Sequence, residues 1–298
     1  MEGINVKSVS DFITTITDTI KTDKQNDEVY SRNEYLFRGQ SNEKYSLVPS
    51  LGRLGSGHSD IYFVERNMIS MAKRKLPSIF TNDLQPLELL GLLQHYGIPT
   101  RLLDITENAL VALYFACIEN HDKNGEVFIF KNDKRDVSDY PIDYAIAESY
   151  KYARPSSWSL KLFYKEVINQ PYFDEQRTLF EEKDEKAGAL WVEQCCQKPI
   201  FTYAPLRSAR QQMQSGRYII FPNKINHVSD TEPGTFLSRI QPMDKNEECI
   251  IGRIVIPSEY KQNMLREMDI LGISRGNMFA DSIDVVCQEI KEEFFVGM

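Results

Sequence analysis

The stretch "LLQHYGIPTRLLDITENALVALYFAC", Leu92–Cys117, constrains the fold more than any other part of the chain. A helix is predicted near Pro86 to Tyr96, and Gly97 and Pro99 end it, since both residues interrupt a helix. A second helix is predicted from Asn108 to Glu119, with large apolar residues along one face. A helix with so few polar positions is expected to be buried, so the chain must fold around this segment.

Further helices and strands are predicted on both sides of this stretch. Helical spacing covers the first 22 residues, with Ser10 or Asp11 near the start, and recurs from Ile61 to Lys75 and in "SEYKQNMLREMDILGI" and "DSIDVVCQEIKEEF". Thr106 is the predicted N-cap of the helix from Asn108. Strands are predicted in "YLFRGQ", "GEVFIFK", "PIFTYAP", "GRYIIFP" and "CIIGRIVIP". The mixture predicts an α+β protein.

The middle of the chain differs from its flanks. Residues 132–197 are polar and rich in tyrosine, without a strong strand pattern. Within them, "SSWSLKLFYKEVINQ" and "FDEQRTLFEEKDEKAGALWVEQCC" have helical spacing. We therefore expect one domain spanning residues 1–298, with a helical insertion at about 132–197.

Composition excludes several classes of protein. No apolar run approaches the roughly 18 to 20 residues of a membrane helix, and the N-terminal sequence lacks the pattern of a signal peptide, so a cytoplasmic protein without membrane contact is expected. Five cysteines without CxxC or Cys/His spacing predict neither a disulfide framework nor a metal site.

The net charge of -8 argues against broad attraction to nucleic acid. A local basic groove remains open, built from the "KRK" of Lys73–Lys75 or from Arg207, Arg210 and Arg217. A solvated charged face is the alternative interpretation of the same residues.

Two groups of residues near the predicted strands are candidates for chemistry. Arg38 ends the strand "YLFRGQ" beside a glycine and could bind a phosphate, or could form a structural salt bridge to Asp104 or Glu43. His95, Arg101 and Asp104 surround the turn at Gly97 and Pro99. They could line a site or form a buried ion network that stabilises the fold.

A third group, "RQQMQSGRYIIFP", places Arg210, Gln211, Gln212 and Gln214 before a strand. Glutamine can bind an amide or a ribose hydroxyl but cannot act as a general base at neutral pH. The alternative interpretation is a polar loop ahead of a strand. The sequence contains no GxGxxG, GxxxxGK[ST], HExxH or GxSxG pattern.

The motifs "YLFRGQS", "LLQHYGIPTRLLDITENALVALYFAC" and "RQQMQSGRYIIFP", in this order, resemble the FRG domain, a bacterial family named for its Phe-Arg-Gly signature. The resemblance covers about residues 34–117 and 203–222, and more loosely "LGISRGNMFADSIDVVCQEI". There Met278, Ala280 and Ser282 depart from the family's Leu-Phe-Pro-Asp-Leu-Asp-Gly run. Asp104 to Thr106 reads Asp-Ile-Thr where the family frequently has Asp-Trp-Thr.

The motif order is also similar to that of an ADP-ribosyltransferase core, which implies a mixed β core with surrounding helices. In that core a strand-end arginine or histidine meets NAD, a Ser/Thr strand leads into a helix, and a later strand carries a glutamate. Arg38 matches the first element and Thr106 the second. Gln211, Gln212 or Gln214 stands where the glutamate is expected.

The resemblance implies roles for individual residues. Arg38, His95, Thr106 and Gln214 are the expected catalytic residues, with His95 contacting a ribose hydroxyl or taking a proton from the acceptor. Arg38 and Arg101 are expected to hold the phosphates of NAD, and Asp104 to orient His95 or Arg101. The remaining expected contacts to NAD come from Gly39, Gln40, Tyr96, Thr100 and Gln211.

The leading hypothesis is an ADP-ribosyltransferase that uses NAD as substrate and modifies RNA, DNA or protein, as a bacterial toxin or phage-defence effector with a cognate antitoxin or inhibitor. The missing glutamate supports the alternative, a non-enzymatic ligand-binding or sensor module in a defence system. In a third interpretation Arg38, Arg101 and Asp104 are ion pairs of the core.

Overall fold

The computed structural model describes residues 2–26, 33–53, 60–132, 141–153, 157–176, 184–205 and 209–279. Within these residues, seven strands form a mixed sheet in the order β1-β10-β4-β2-β3-β7-β6, and three form a smaller sheet in the order β5-β9-β8. The strands are β1 Ile4–Asn5, β2 Glu34–Gln40, β3 Leu102–Thr106, β4 Gly125–Asn132, β5 Ser157–Ser159, β6 Ile200–Thr202, β7 Gly216–Ile220, β8 Asn223–Asn226, β9 Thr235–Ile240 and β10 Ile250–Ile256.

Helices cover the sheets on several sides. Those of the described residues are α1 Val9–Asn26, α2 Ile61–Lys75, α3 Pro86–His95, α4 Ala109–Cys117, α5 Pro141–Tyr152, α6 Leu160–Val167, α7 Glu185–Cys195, α8 Ala209–Met213, α9 Lys261–Ile270 and α10 Arg275–Met278. Short 3-10 turns lie at Ser50–Arg53, Pro171–Gln176 and Ser258–Tyr260. The prediction of an α+β protein is confirmed.

Strand β4 lies inside the large sheet and is apolar because both of its faces are covered. Val127 and Ile129 pack into a core with helices α1, α4 and α9. Phe128 and Phe130 point to the opposite core, shared with β3 and β7. A continuous apolar run is what a strand buried on both faces requires.

Helix α4 lies directly on strand β2, and Gly39 makes this contact possible. A Cβ atom at residue 39 would stand 1.7 Å from the carbonyl oxygen of Ala112 and 2.9 Å from the nitrogen of Ala116. Only glycine permits two backbones to approach so closely. Gly39 therefore fixes the distance between β2 and α4.

The N-terminus of α4 corrects one prediction. Asn108 is the N-cap, since its side-chain oxygen accepts hydrogen bonds from the nitrogens of Leu110 and Val111. Thr106 instead ends strand β3, and its hydroxyl accepts a hydrogen bond from the nitrogen of Asn108. Asn and Thr are both good N-caps, so the sequence alone did not separate positions two residues apart.

The predicted helical insertion is only partly helical in its described residues. Helices α5, α6 and α7 lie there, but "SWS" forms strand β5, which pairs with β9. Strands β8 and β9 were not predicted, because "NKIN" and "TFLSRI" alternate weakly. The side chains of α5 to α7 join one core with α2, α3 and residues of β3 and β7.

Other predicted elements occur where expected. Helices α1, α2, α3 and α9 and strands β2, β4, β6, β7 and β10 match the predictions to within a few residues. The predicted helix "DSIDVVCQEIKEEF" lies outside the described residues. Among the described helices, none combines the length and the apolar character needed to cross a membrane.

Candidate functional site

A cleft of about 530 Å³ opens where strands β2, β3 and β7 meet helix α4 and the loop before β7. Antiparallel pairing of β2 with β3 and of β3 with β7 brings the three sequence motifs side by side. Eight of the eleven predicted site residues line this cleft, namely Arg38, Gly39, Gln40, His95, Asp104, Thr106, Gln211 and Gln214. Tyr96, Thr100 and Arg101 do not line it.

Arg38 lies within β2, two residues before the end of the strand, and contributes a positive charge to the cleft. Its Nη1 donates a hydrogen bond of 2.5 Å to the backbone carbonyl of Asp104. Its Nε is buried without a hydrogen-bond partner among the described residues. Among the described residues Arg38 thus contacts a main-chain oxygen of Asp104 and forms no salt bridge to Asp104 or Glu43, the alternative that the sequence left open.

The pKa of Arg38 reflects this environment. Burial lowers it to about 10, the negative charge of Asp104 raises it in part, and the positive charge of Arg53 lowers it further. The guanidinium remains charged at neutral pH. A partly desolvated cation with unused donors is a site for an anion.

Arg101 corrects the prediction that it binds phosphate. Its side chain is fully buried, and Nε and Nη2 donate to the carboxylate of Glu65 at 2.9 and 2.5 Å. Its Nη1 donates to the carbonyl of Phe221 and to Asn223, both at 3.1 Å. Burial acts to lower the pKa of Arg101, but the charge and hydrogen bonds of Glu65 outweigh it and raise the pKa overall. Arg101 is a structural residue.

Thr100 and Tyr96 also lie outside the cleft. Thr100 is buried; its hydroxyl donates to Gln94, and its carbonyl accepts from the nitrogen of Leu51 at 3.0 Å. It thereby anchors the 3-10 turn Ser50–Arg53. Tyr96 is exposed at the end of α3 and makes edge contacts with Phe80 and His95. Neither residue is placed to contact a ligand in this cleft.

His95 and Asp104 line the cleft from opposite sides of the turn that joins α3 to β3. His95 is the last residue of α3 and is half-buried, whereas Asp104 is exposed at the centre of β3. Asp104 does not orient Arg101, since the guanidinium of Arg101 is occupied by Glu65, Phe221 and Asn223.

Thr106 and Gln214 are linked. The Thr106 hydroxyl donates to the carbonyl of Gln214 at 2.6 Å, and the nitrogen of Glu107 donates to the carbonyl of Ser215 at 3.1 Å. These bonds fix a tight turn in which Ser215 has a φ of 45°. The proton of the Thr106 hydroxyl is thus used to hold the loop that carries Gln214.

The glutamines of the third motif are partly engaged by the protein. The Gln214 side-chain nitrogen donates to the carbonyl of Met278 at 2.9 Å, which holds α10 at the cleft. The Gln211 nitrogen donates to the hydroxyl of Tyr218 at 2.9 Å. Residues Ala209–Met213 form the short helix α8 and not a polar loop, which was the alternative interpretation of this motif.

Gln40 is 5% exposed, and its nitrogen donates to the carbonyl of Tyr45 and to the carboxylate of Glu126. Glu126 is fully buried and also accepts hydrogen bonds from Lys245 and Arg253. Gln40 therefore has a fixed orientation at the edge of the cleft.

Sequence reasoning missed several residues of the cleft. Arg53 and Arg275 add positive charge, Glu119 adds negative charge, and aromatic surface comes from Tyr45, Phe115 and Phe279. Phe115 and Phe279 form an edge-to-face pair with ring centroids 6.3 Å apart. Phe115 stands in the second motif, and Arg275 and Phe279 stand in the C-terminal segment of looser resemblance, but only the fold shows that these residues line the cleft.

Lys73 and Arg217, two candidates for the local basic groove that the sequence left open, have partners in the protein. Arg217 forms an ion pair with Glu107 and lies 3.8 Å from the ring centre of Tyr203. Lys73 donates to Asn82 on the exposed side of α2. The side chains of Arg207 and Arg210 lie outside the described residues.

Comparison with known proteins gives one match. Residues 33–125 match the model of the FRG domain family, which confirms the resemblance for this part of the chain. The matched segment contains Arg38, His95, Asp104 and Thr106 but not the glutamines of the third motif. No curated protein and no solved structure matches the chain.

Proposed function

We propose that the protein is an NAD-dependent ADP-ribosyltransferase that modifies a macromolecule, either RNA, DNA or protein. The observation that carries the proposal is the adjacency of β2, β3 and β7, which brings Arg38, Thr106 and Gln214 to one cleft. A transferase core of this type places three such elements around NAD, and here Gln214 stands where the third element carries a glutamate. Arg38 and Thr106 are 68 residues apart in the chain, and Thr106 and Gln214 are 108 residues apart. The fold therefore brings the three residues together.

The cleft has the size and the chemical groups for a dinucleotide. Its volume of about 530 Å³ lies within the usual range of small-molecule sites. Arg38 offers guanidinium donors to a diphosphate, and Tyr45, Phe115 and Phe279 offer ring faces and edges to the two bases. Gln214 retains a side-chain oxygen that has no partner among the described residues and can accept from a ribose hydroxyl.

The proposed reaction breaks the bond between the ribose C1′ and the nicotinamide nitrogen, and nicotinamide leaves with the electron pair. The ribose then carries oxocarbenium character, and the carboxylates of Asp104 and Glu119 line the same cleft. Negative charge near a developing cation lowers the barrier. A nucleophilic atom of the acceptor attacks C1′ and loses a proton, which His95 can accept.

The proposal includes a cellular setting. The FRG resemblance motivates a cytoplasmic toxin or phage-defence effector, whose partners are the macromolecular acceptor and a cognate antitoxin or inhibitor. NAD is the substrate and supplies the transferred group, so no resident cofactor and no metal is required.

The test is release of nicotinamide from NAD by the purified protein, with and without cell lysate as a source of acceptor. Arg38→Ala is expected to abolish release. The matched control is Arg266→Ala, which removes an exposed arginine of α9 that does not line the cleft and is expected to retain full activity. Absence of release by the wild-type protein under both conditions, together with absence of NAD binding, would overturn the proposal.

A second candidate function rests on Gln214. An amide cannot act as a general base, and this amide donates to the carbonyl of Met278 as part of the structure. A binding or sensor module would therefore hold a nucleotide in the same cleft without breaking it. Binding of both NAD and ADP-ribose by the wild-type protein, without nicotinamide release in any lysate, would favour this candidate.

A further inference from the structure

Three arginines line the cleft of a protein whose net charge is -8. They are Arg38, Arg53 and Arg275, and none of them forms an ion pair with a carboxylate among the described residues. The carboxylates that line the same cleft are Asp104 and Glu119. An acidic protein that leaves arginines unpaired in one cavity concentrates positive potential there.

Arg53 is held in place by the turn that carries it. The 3-10 turn Ser50–Arg53 is anchored by the fully buried Leu51, whose nitrogen donates to the carbonyl of Thr100 at 3.0 Å. Gly52 packs closely against Val48, leaving no room for a side chain. The Nε of Arg53 donates to the carbonyl of Val48 at 3.1 Å, so the end of the guanidinium remains available.

Arg38 and Arg53 line the same cleft, close enough for their charges to interact. The positive charge of Arg53 lowers the pKa of Arg38, after burial and against the opposing effect of Asp104. Like charges repel each other, and an anion that binds between Arg38 and Arg53 would be attracted by both guanidinium groups. Two arginines that each keep free donors match an anionic group with two charged centres.

We propose that Arg38 and Arg53 form a two-arginine clamp for the diphosphate of a nucleoside diphosphate, and that this clamp makes the cleft select diphosphates over monophosphates. Arg53 thus takes the second phosphate-binding role, which Arg101 cannot fill because it is buried against Glu65. The clamp rests on the proposed function for the identity of its ligand, NAD. It does not depend on whether the bond to nicotinamide is broken.

Calorimetric titration with ADP-ribose and AMP tests the clamp, using the wild-type protein, Arg38→Ala, Arg53→Ala and Arg53→Lys. We expect Arg53→Ala to weaken ADP-ribose binding at least tenfold and AMP binding much less. Arg53→Lys should recover part of the loss, because lysine keeps the charge but not the two-pronged geometry. Arg239→Ala, an exposed arginine on β9 beside the same turn, should bind both ligands as the wild-type protein does.

Three results would overturn the clamp: wild-type affinity for ADP-ribose in Arg53→Ala, equal affinities of the wild-type protein for AMP and ADP-ribose, or a tenfold loss in Arg275→Ala with none in Arg53→Ala. Failure of the clamp is distinguishable from failure of the transferase proposal. Nicotinamide release that depends on Arg38 but is unchanged in Arg53→Ala contradicts only the clamp. Binding of ADP-ribose through both arginines without any nicotinamide release contradicts only the transferase.

Discussion

Arg38 and Arg101 belong to the same FRG-matched segment, and both lie beside strand β3, but their surroundings differ. The Nε, Nη1 and Nη2 of Arg101 all donate to buried protein acceptors. Arg38 makes one hydrogen bond, to the carbonyl of Asp104, and its Nε has no partner among the described residues. The donor nitrogens of Arg101 are all used by buried acceptors of the protein, whereas Arg38 keeps donors for a ligand.

The difference teaches that a motif does not assign the role of an arginine; its partners do. The partners of Arg101 come from distant elements, Glu65 from α2 and Asn223 from β8. Arg38 instead lines the cleft together with Arg53, a residue of the same charge. The first arrangement stabilises the folded chain, whereas the second leaves positive charge available to an anion.

The largest effect on the free energy of unfolding is expected for substitution of Arg101. Arg101→Met should lower the free energy of unfolding by about 3–5 kcal/mol, because it leaves the carboxylate of Glu65 buried without its partner. Denaturant unfolding measures the change. The double variant Arg101→Met with Glu65→Leu should recover most of the loss, and a single-variant loss below about 1 kcal/mol would mean that the ion pair is not structural.

A smaller effect is expected at Gly39, which neighbours Arg38 but acts through packing. Gly39→Ala should lower the free energy of unfolding by about 1–3 kcal/mol, since a Cβ would collide with the backbone of α4. Gly91→Ala on α3 is the matched control. Its Cβ would meet its nearest neighbour at 3.5 Å, so we expect a gain of about 0.5–1 kcal/mol from helix propensity. Equal effects of the two substitutions would refute the packing role of Gly39.

Gln214 should contribute less. Gln214→Ala removes the hydrogen bond to the carbonyl of Met278 and should lower the free energy of unfolding by about 1 kcal/mol. The control Gln262→Ala changes an exposed glutamine of α9 and should have an effect within about 0.5 kcal/mol. Thermal unfolding of the two variants side by side decides whether Gln214 holds α10 at the cleft.

The smallest effect on stability is expected for Arg38. Arg38→Ala removes one hydrogen bond and also removes a buried donor that has no partner, so the free energy of unfolding should change by less than about 1 kcal/mol. Denaturant unfolding again provides the measurement. A loss comparable to that of Arg101→Met would place Arg38 among the structural residues of the core.

Much of the fold could be predicted from the sequence because its apolar periodicity is strong. The helix α4 and the strands β4, β7 and β10 consist largely of apolar residues, so their own sequences indicate that they are buried. The strands β8 and β9 could not be predicted, since their stability depends on pairing with β5 and with each other. Local patterns do not contain that information.

The candidate site could be predicted in part for a related reason. Arg38, His95, Asp104 and Thr106 stand in motifs that indicate a site, and all four line the cleft. The burial of Arg101 depends on Glu65, which lies 36 residues earlier in the chain. The position of Arg53 depends on the contact of its turn with Thr100. Both are tertiary contacts that no spacing rule encodes.

The most direct test of the difference between the two arginines is thermal unfolding of the wild-type protein, Arg38→Ala and Arg101→Met with and without saturating ADP-ribose. A ligand at about 100 times its Kd stabilises the folded state by about 2.7 kcal/mol. We expect the melting temperature of Arg101→Met to be lower than that of the wild-type protein by on the order of 10 °C. ADP-ribose should nevertheless raise the melting temperature of this variant as much as it raises that of the wild-type protein. Arg38→Ala should unfold near the wild-type temperature and gain nothing. A full increase in Arg38→Ala, or an unchanged melting temperature in Arg101→Met, would contradict the roles assigned to the two arginines.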